Sequence, residues 1–94
     1  MSASSPVAVV LGAGMGGRGV ASALAGRAHV VMVDRDEALA DRAAQAVVAA
    51  GGTAEAMTVN LLDFDAVEAF RVDLLNRHGR IDTVVHLVGG WQVS

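Results

Sequence analysis

The stretch Val7-Ala8-Val9-Val10-Leu11-Gly12-Ala13-Gly14-Met15-Gly16-Gly17-Arg18-Gly19 decides how this chain folds. Five apolar residues run straight into a glycine-rich turn. An apolar run with no polar face reads as a strand buried on both sides. The glycines then bring main-chain N–H groups, with no Cβ in the way, to the start of a helix. Those donors lack intrahelical partners and sit at the positive end of the helix dipole, so they suit a pyrophosphate. A second apolar run, Val30-Val31-Met32-Val33, ends in Asp34, twenty residues beyond Gly14. An acid at that strand end can accept hydrogen bonds from ribose hydroxyls. Strand, glycine turn, helix, strand and acid together read as a dinucleotide site.

The rest of the chain repeats the alternation. The spacing predicts strands over 7–11, 29–34, 54–59 and 83–88, with helices from about 16 to 25, 36 to 50 and 64 to 78. Gly26 suits a left-handed helix end, and so does Gly79. Asp63 is a good N-cap for the third helix, whose apolar stripe is Val67, Phe70, Leu74 and Leu75. Right-handed crossovers give a doubly wound parallel α/β sheet in the order 3-2-1-4. Residues 1–6 read as a flexible tail and 7–94 as a partial nucleotide-binding domain. The fourth strand, Val84-Val85-His86-Leu87-Val88, reads as an interior strand, yet it would lie at the sheet edge. A bare apolar edge invites association. That edge is therefore expected to meet a second copy in a homo-oligomer, a partner chain, or a C-terminal half that these residues lack.

Composition narrows the function classes. The chain has 94 residues, 53% of them hydrophobic, with a net charge of -3. It is an ordered small domain, with no basic tract for nucleic acid. No apolar run approaches the ~20 residues of a membrane span. No cysteine is present, so thiol chemistry and cysteine metal sites are excluded. The expected setting is soluble and cytoplasmic. All seven basic residues are arginine, and tyrosine is absent. His29, His78 and His86 stand far apart along the chain, so no metal cluster is expected.

From about Val7 to Trp91 the chain resembles the N-terminal half of a short-chain dehydrogenase/reductase, with a Rossmann-type fold. Four segments carry the resemblance: the glycine turn, Val33-Asp34-Arg35, Val59-Asn60-Leu61-Leu62-Asp63, and Gly79-Arg80-Ile81-Asp82-Thr83-Val84-Val85-His86-Leu87-Val88-Gly89. The last matches the family's Gly-x-Ile-Asp-x-Leu-Val-Asn-Asn-Ala-Gly. There are departures. Gly12 and Gly16 fit the family's glycine spacing, but Arg18 stands at its third position. Gly12, Gly14 and Gly17 fit Gly-x-Gly-x-x-Gly better, which also resembles 3-hydroxyacyl-CoA dehydrogenases; nothing after Asp34 supports that family equally. Asn60 replaces the usual Asp beside the adenine. His86-Leu87-Val88 replaces Asn-Asn-Ala, which leaves main-chain contacts available there.

The resemblance implies NAD(P)-dependent hydride transfer between a nicotinamide cofactor and a carbonyl or alcohol. It implies cofactor contacts at Gly12, Gly14, Met15, Gly16, Gly17, Asp34, Arg35, Asn60, Leu61, Val88 and Gly89. The charge of Asp34 favours NAD over NADP, while Arg35 and Arg18 could pair with a 2′-phosphate. Two readings stand for Asn60: a satisfied strand-end side chain, or an adenine contact beneath a covering Leu61. His86 reads as a core histidine, Asp82 as structural, and Trp91 as lying over the cofactor or on a tail. The family's Tyr-x-x-x-Lys pair is not found in these residues. The chain is therefore expected to be a cofactor-binding half, cut after its fourth strand, that binds without turnover alone. The alternative is a non-catalytic module for a nucleotide or a partner protein.

Overall fold

The computed structural model describes residues 6–12 and 15–86, with the backbone alone for 15–18. In chain order the elements are β1 (Val7–Leu11), α1 (Met15–Ala23), β2 (His29–Asp34), α2 (Glu37–Ala49), β3 (Thr53–Thr58), α3 (Phe64–His78) and β4 (Thr83–His86). The strands form one parallel sheet in the order β3-β2-β1-β4. Register runs Val7 opposite His29, His29 opposite Thr53, and Ala8 opposite Thr83. The sheet order is the one expected from the alternation of elements.

Strand alternation splits the core in two. Val10, Val30 and Met32 face α1 and α2, where Ala21, Ala43, Ala44 and Val47 meet them. Val7, Val9, Val31 and Val33 face α3, where Phe70 and Leu74 meet them. The small alanines let α2 approach the sheet closely. Gly52 does the same at the start of β3: a Cβ there would lie 2.8 Å from the Ala25 Cα.

Local chemistry fixes the helix ends. Asp63 Oδ1 accepts the Ala66 N–H at 3.2 Å at the start of α3. Gly79 ends it in the left-handed region, at φ 77°, and donates its N–H to the Leu75 carbonyl. Asp36 caps α2 by accepting from Ala38 and Leu39. Asp82 is structural, as expected: Oδ2 accepts the Val7 N–H at 2.8 Å and the carboxylate pairs with Arg80.

Several expectations need correction. Leu75 is 38% exposed rather than part of the inward stripe, because the helical turn carries it past the contact line of Phe70 and Leu74. His86 is exposed, not in the core, and Val84 is 56% exposed. Both sit on β4, which among the described residues has a neighbour on one side alone. The histidines are not all isolated: His29 and His78 meet across Glu55, because β2 begins where α3 ends. Residues 87 and 88 of the expected fourth strand lie outside the described residues.

Candidate nucleotide-binding site

The carboxyl ends of β1, β2 and β3 meet the turns that lead into the helices. In an open α/β sheet, ligands bind outside these ends, where the strand order reverses. Here the reversal falls at β1, between β2 and β4. Gly12 follows β1 with φ 107°, a conformation that disfavours any side chain. Its N–H donates to the Val33 carbonyl at 2.8 Å, so the ladder carries on into the turn. Helix α1 begins at Met15, and Gly16 and Gly17 lie in its first turn. Gly14, Val88, Gly89 and Trp91 lie outside the described residues, and so does the Met15 side chain.

Asp34 closes β2. Its Oδ1 accepts the Asp36 N–H at 2.9 Å, and its carbonyl accepts the Val59 N–H at 3.1 Å. The carboxylate is thus held at the strand end with a fixed direction. Asn60 holds the next turn in a similar way. Its Oδ1 accepts the Leu62 N–H at 3.0 Å and its carbonyl accepts the Asp63 N–H at 3.0 Å. The same short polar side chain therefore shapes the turn and faces outward.

Between these turns lies an open hollow of about 620 Å³, lined by Arg35, Asp36, Glu37, Asn60 and Leu62. Arg35 and Asn60 come together there, as singled out from the sequence. Leu61 does not. Its side chain packs toward the core cluster of Val59 and Phe70, whereas Leu62 is 80% exposed beside the hollow. The turn after Asn60 rotates the two leucines to opposite sides, which no periodicity in the sequence encodes. Asp36 and Glu37 also line the hollow. Their signal was position, since both follow directly on Asp34 and Arg35. The wall thus carries two acids and one cation at the N-terminus of α2, next to Asp34.

Comparison with known proteins agrees with this geometry. The sequence profile described as short chain dehydrogenase matches residues 6–94. A search of curated proteins gave no match. Among solved structures, one described as a short-chain dehydrogenase/reductase from Burkholderia xenovorans is 35% identical, with a TM-score of 0.85 over 97% of this chain and 39% of its own. A metagenomic short-chain oxidoreductase in complex with NADP is 38% identical, with a TM-score of 0.80 over 86% of this chain and 38% of its own. A citronellol catabolism dehydrogenase of Pseudomonas aeruginosa is 26% identical, with a TM-score of 0.78 over 86% of this chain and 35% of its own. The chain thus spans well under half the length of each of these structures. Glycine turn, Asp34, sheet order and family match agree: this chain belongs to the short-chain dehydrogenase family.

Proposed function

We propose that these 94 residues bind a nicotinamide dinucleotide and form the cofactor-binding half of an NAD(P)-dependent oxidoreductase. The observation that carries the reading is the hollow at the ends of β2 and β3, entered beside the fixed carboxylate of Asp34. The hollow in this reading receives the adenosine moiety. In this reading the glycine turn, Gly12 with Gly14, Met15, Gly16 and Gly17, offers main-chain N–H groups to the pyrophosphate. Asp34 accepts from the ribose hydroxyls. Asn60 and Leu62 border the adenine, with Leu62 in the place first expected for Leu61. Val88 and Gly89 offer main-chain groups farther along the cofactor.

When bound, the cofactor supplies or takes a hydride. The protein's own part in these residues is to bind and orient it. A proton for the alkoxide and a group to orient the carbonyl are also required. Neither tyrosine nor lysine occurs among the 94 residues. Turnover therefore draws those groups from outside these 94 residues. Asp34 repels a 2′-phosphate and favours NAD, with Arg35 beside it as a counterweight.

Titration with NADH, followed by its fluorescence, tests the reading; no binding at millimolar cofactor removes it. Asp34→Ala should weaken NAD more than NADP, and an unchanged ratio removes the role given to Asp34. A second reading, a partner or a second copy on the β4 edge, is favoured by exposed Val84. Sedimentation tests it, since a monomer at high concentration contradicts it. No helix among the described residues is long and apolar enough to cross a membrane, and we place the protein in the cytoplasm.

A further inference from the structure

His29 opens β2, Glu55 lies in β3, and His78 closes α3. His29 alternates with Val31 and Val33, and Glu55 with Met57, so all three side chains belong to the α3 side of the sheet. They sit where the strands begin, at the end opposite the nucleotide hollow. His29 Nε2 and His78 Nε2 lie 2.8 and 2.9 Å from one atom, Glu55 Oε2. One ligand atom from each of the three residues falls within 4.8 Å of the others.

The surroundings hold this group in place. Glu55 Oε1 takes the Arg77 guanidinium at 2.9 Å, which fixes the carboxylate plane and turns Oε2 toward the imidazoles. Arg77 also reaches Asp73 Oδ2 at 3.0 Å. Glu55 and Asp73 together outweigh the charge of Arg77, so the local balance welcomes a cation. His29 Nδ1 lies 3.0 Å from Thr53 Oγ1. A hydroxyl that accepts from Nδ1–H leaves the Nε2 lone pair for a metal, which is how metal-bound histidines are commonly held.

We infer that His29 Nε2, His78 Nε2 and Glu55 Oε2 form a three-ligand site for a divalent transition-metal ion, zinc(II) foremost. Two imidazoles and a carboxylate form a donor set that zinc accepts, with a fourth position left to water. Bonds of about 2.0–2.1 Å to a tetrahedral ion put ligand atoms about 3.3 Å apart, so the two histidine–Glu55 contacts open by about half an ångström, while the two imidazole nitrogens, within 4.8 Å of each other, settle to the same spacing. The three side chains are 22%, 25% and 22% exposed, which gives room for that shift and a path for entry. The ion would tie β2, β3 and the end of α3 together. The rival occupant is protons alone, with both Nε2–H groups donating to Glu55.

The test uses the whole 94-residue chain and zinc(II), with cobalt(II) as a spectroscopic probe. One zinc per chain should bind at micromolar concentration and raise Tm by several degrees. Cobalt should give the absorption of a four-coordinate nitrogen and oxygen site. His29→Ala and His78→Ala should each weaken binding at least tenfold, while His86→Ala, on β4, leaves it unchanged. Should those variants unfold, imidazole nitrogen NMR of the unaltered chain decides: zinc should shift His29 and His78 and spare His86. Binding no tighter than millimolar, shifts spread over all three histidines, or no rise in Tm would overturn the site and leave a proton-bridged cluster.

Discussion

The Val7 N–H donates to Asp82 Oδ2 across 75 positions of sequence, at 2.8 Å. That one bond fastens the beginning of β1 to the approach to β4. The Asp82 N–H returns the favour, donating to the Val7 carbonyl at 2.9 Å. Arg80 grips the same carboxylate through both Nε and Nη2. The Arg80 hydrogen bonds, with the one from Val7, hold the Asp82 carboxyl below the usual aspartate range.

A carboxyl lowered in the folded state contributes stability above its unfolded pKa, about 3.9, and loses it as pH falls through the folded value. Asp82→Ala should therefore lower Tm by several degrees at neutral pH, and Asp82→Asn by less, since the amide still accepts from Val7. The gap between the unaltered chain and Asp82→Asn should begin to shrink below about pH 4 and narrow further as the pH falls. Thermal melts across pH check this; a gap that stays constant into acid would deny the charge its role.

Gly52 is needed for want of space rather than for its backbone angles. A methyl there meets the Ala25 Cα at 2.8 Å and the Gly26 nitrogen at 3.0 Å, both main-chain atoms that cannot swing aside. Gly52→Ala should cost about 1–3 kcal/mol in urea unfolding, as overpacked sites do. Gly19, with nothing within 4 Å of its Cβ position, should tolerate alanine far better.

Leu74 is fully buried between α3 and the sheet. Leu74→Ala should cost about 2–5 kcal/mol by urea titration. Leu75→Ala, one position on and facing outward, should stay within about 0.5 kcal/mol of the unaltered chain.

The two leucines after Asn60 should separate binding from folding. Leu62→Ala removes a wall of the hollow while changing stability by no more than about 0.5 kcal/mol. Its NADH affinity should drop several-fold. Leu61→Ala should lower Tm and leave NADH affinity near that of the unaltered chain at a temperature where both are folded. The reverse pattern would return the adenine contact to Leu61.

Much of this was legible in the sequence because the signals were local. Asp63 and Gly79 bracket α3 through bonds to atoms three or four residues away, and the apolar runs of β1 and β2 declare strands covered on both faces. The sheet order followed from alternation and crossover handedness alone. What escaped depends on contacts between elements. His29 and His78 meet only because β2 starts beside the end of α3. Leu61 and Leu62 part company through a turn that Asn60 shapes with its own side chain. His86 looked buried because its neighbours are apolar, but composition does not say which strand stands at the edge.

Strand β2 lies between β1 and β3, whereas among the described residues β4 is paired along four positions of β1 alone. Peeling β4 away breaks a single short ladder; freeing β2 requires breaking two. Deuterium should therefore enter the amides of β4 through small openings of the edge and reach those of Val30 to Val33 only when the whole molecule opens. The exchange of that central strand would then measure the global unfolding equilibrium directly, without any denaturant.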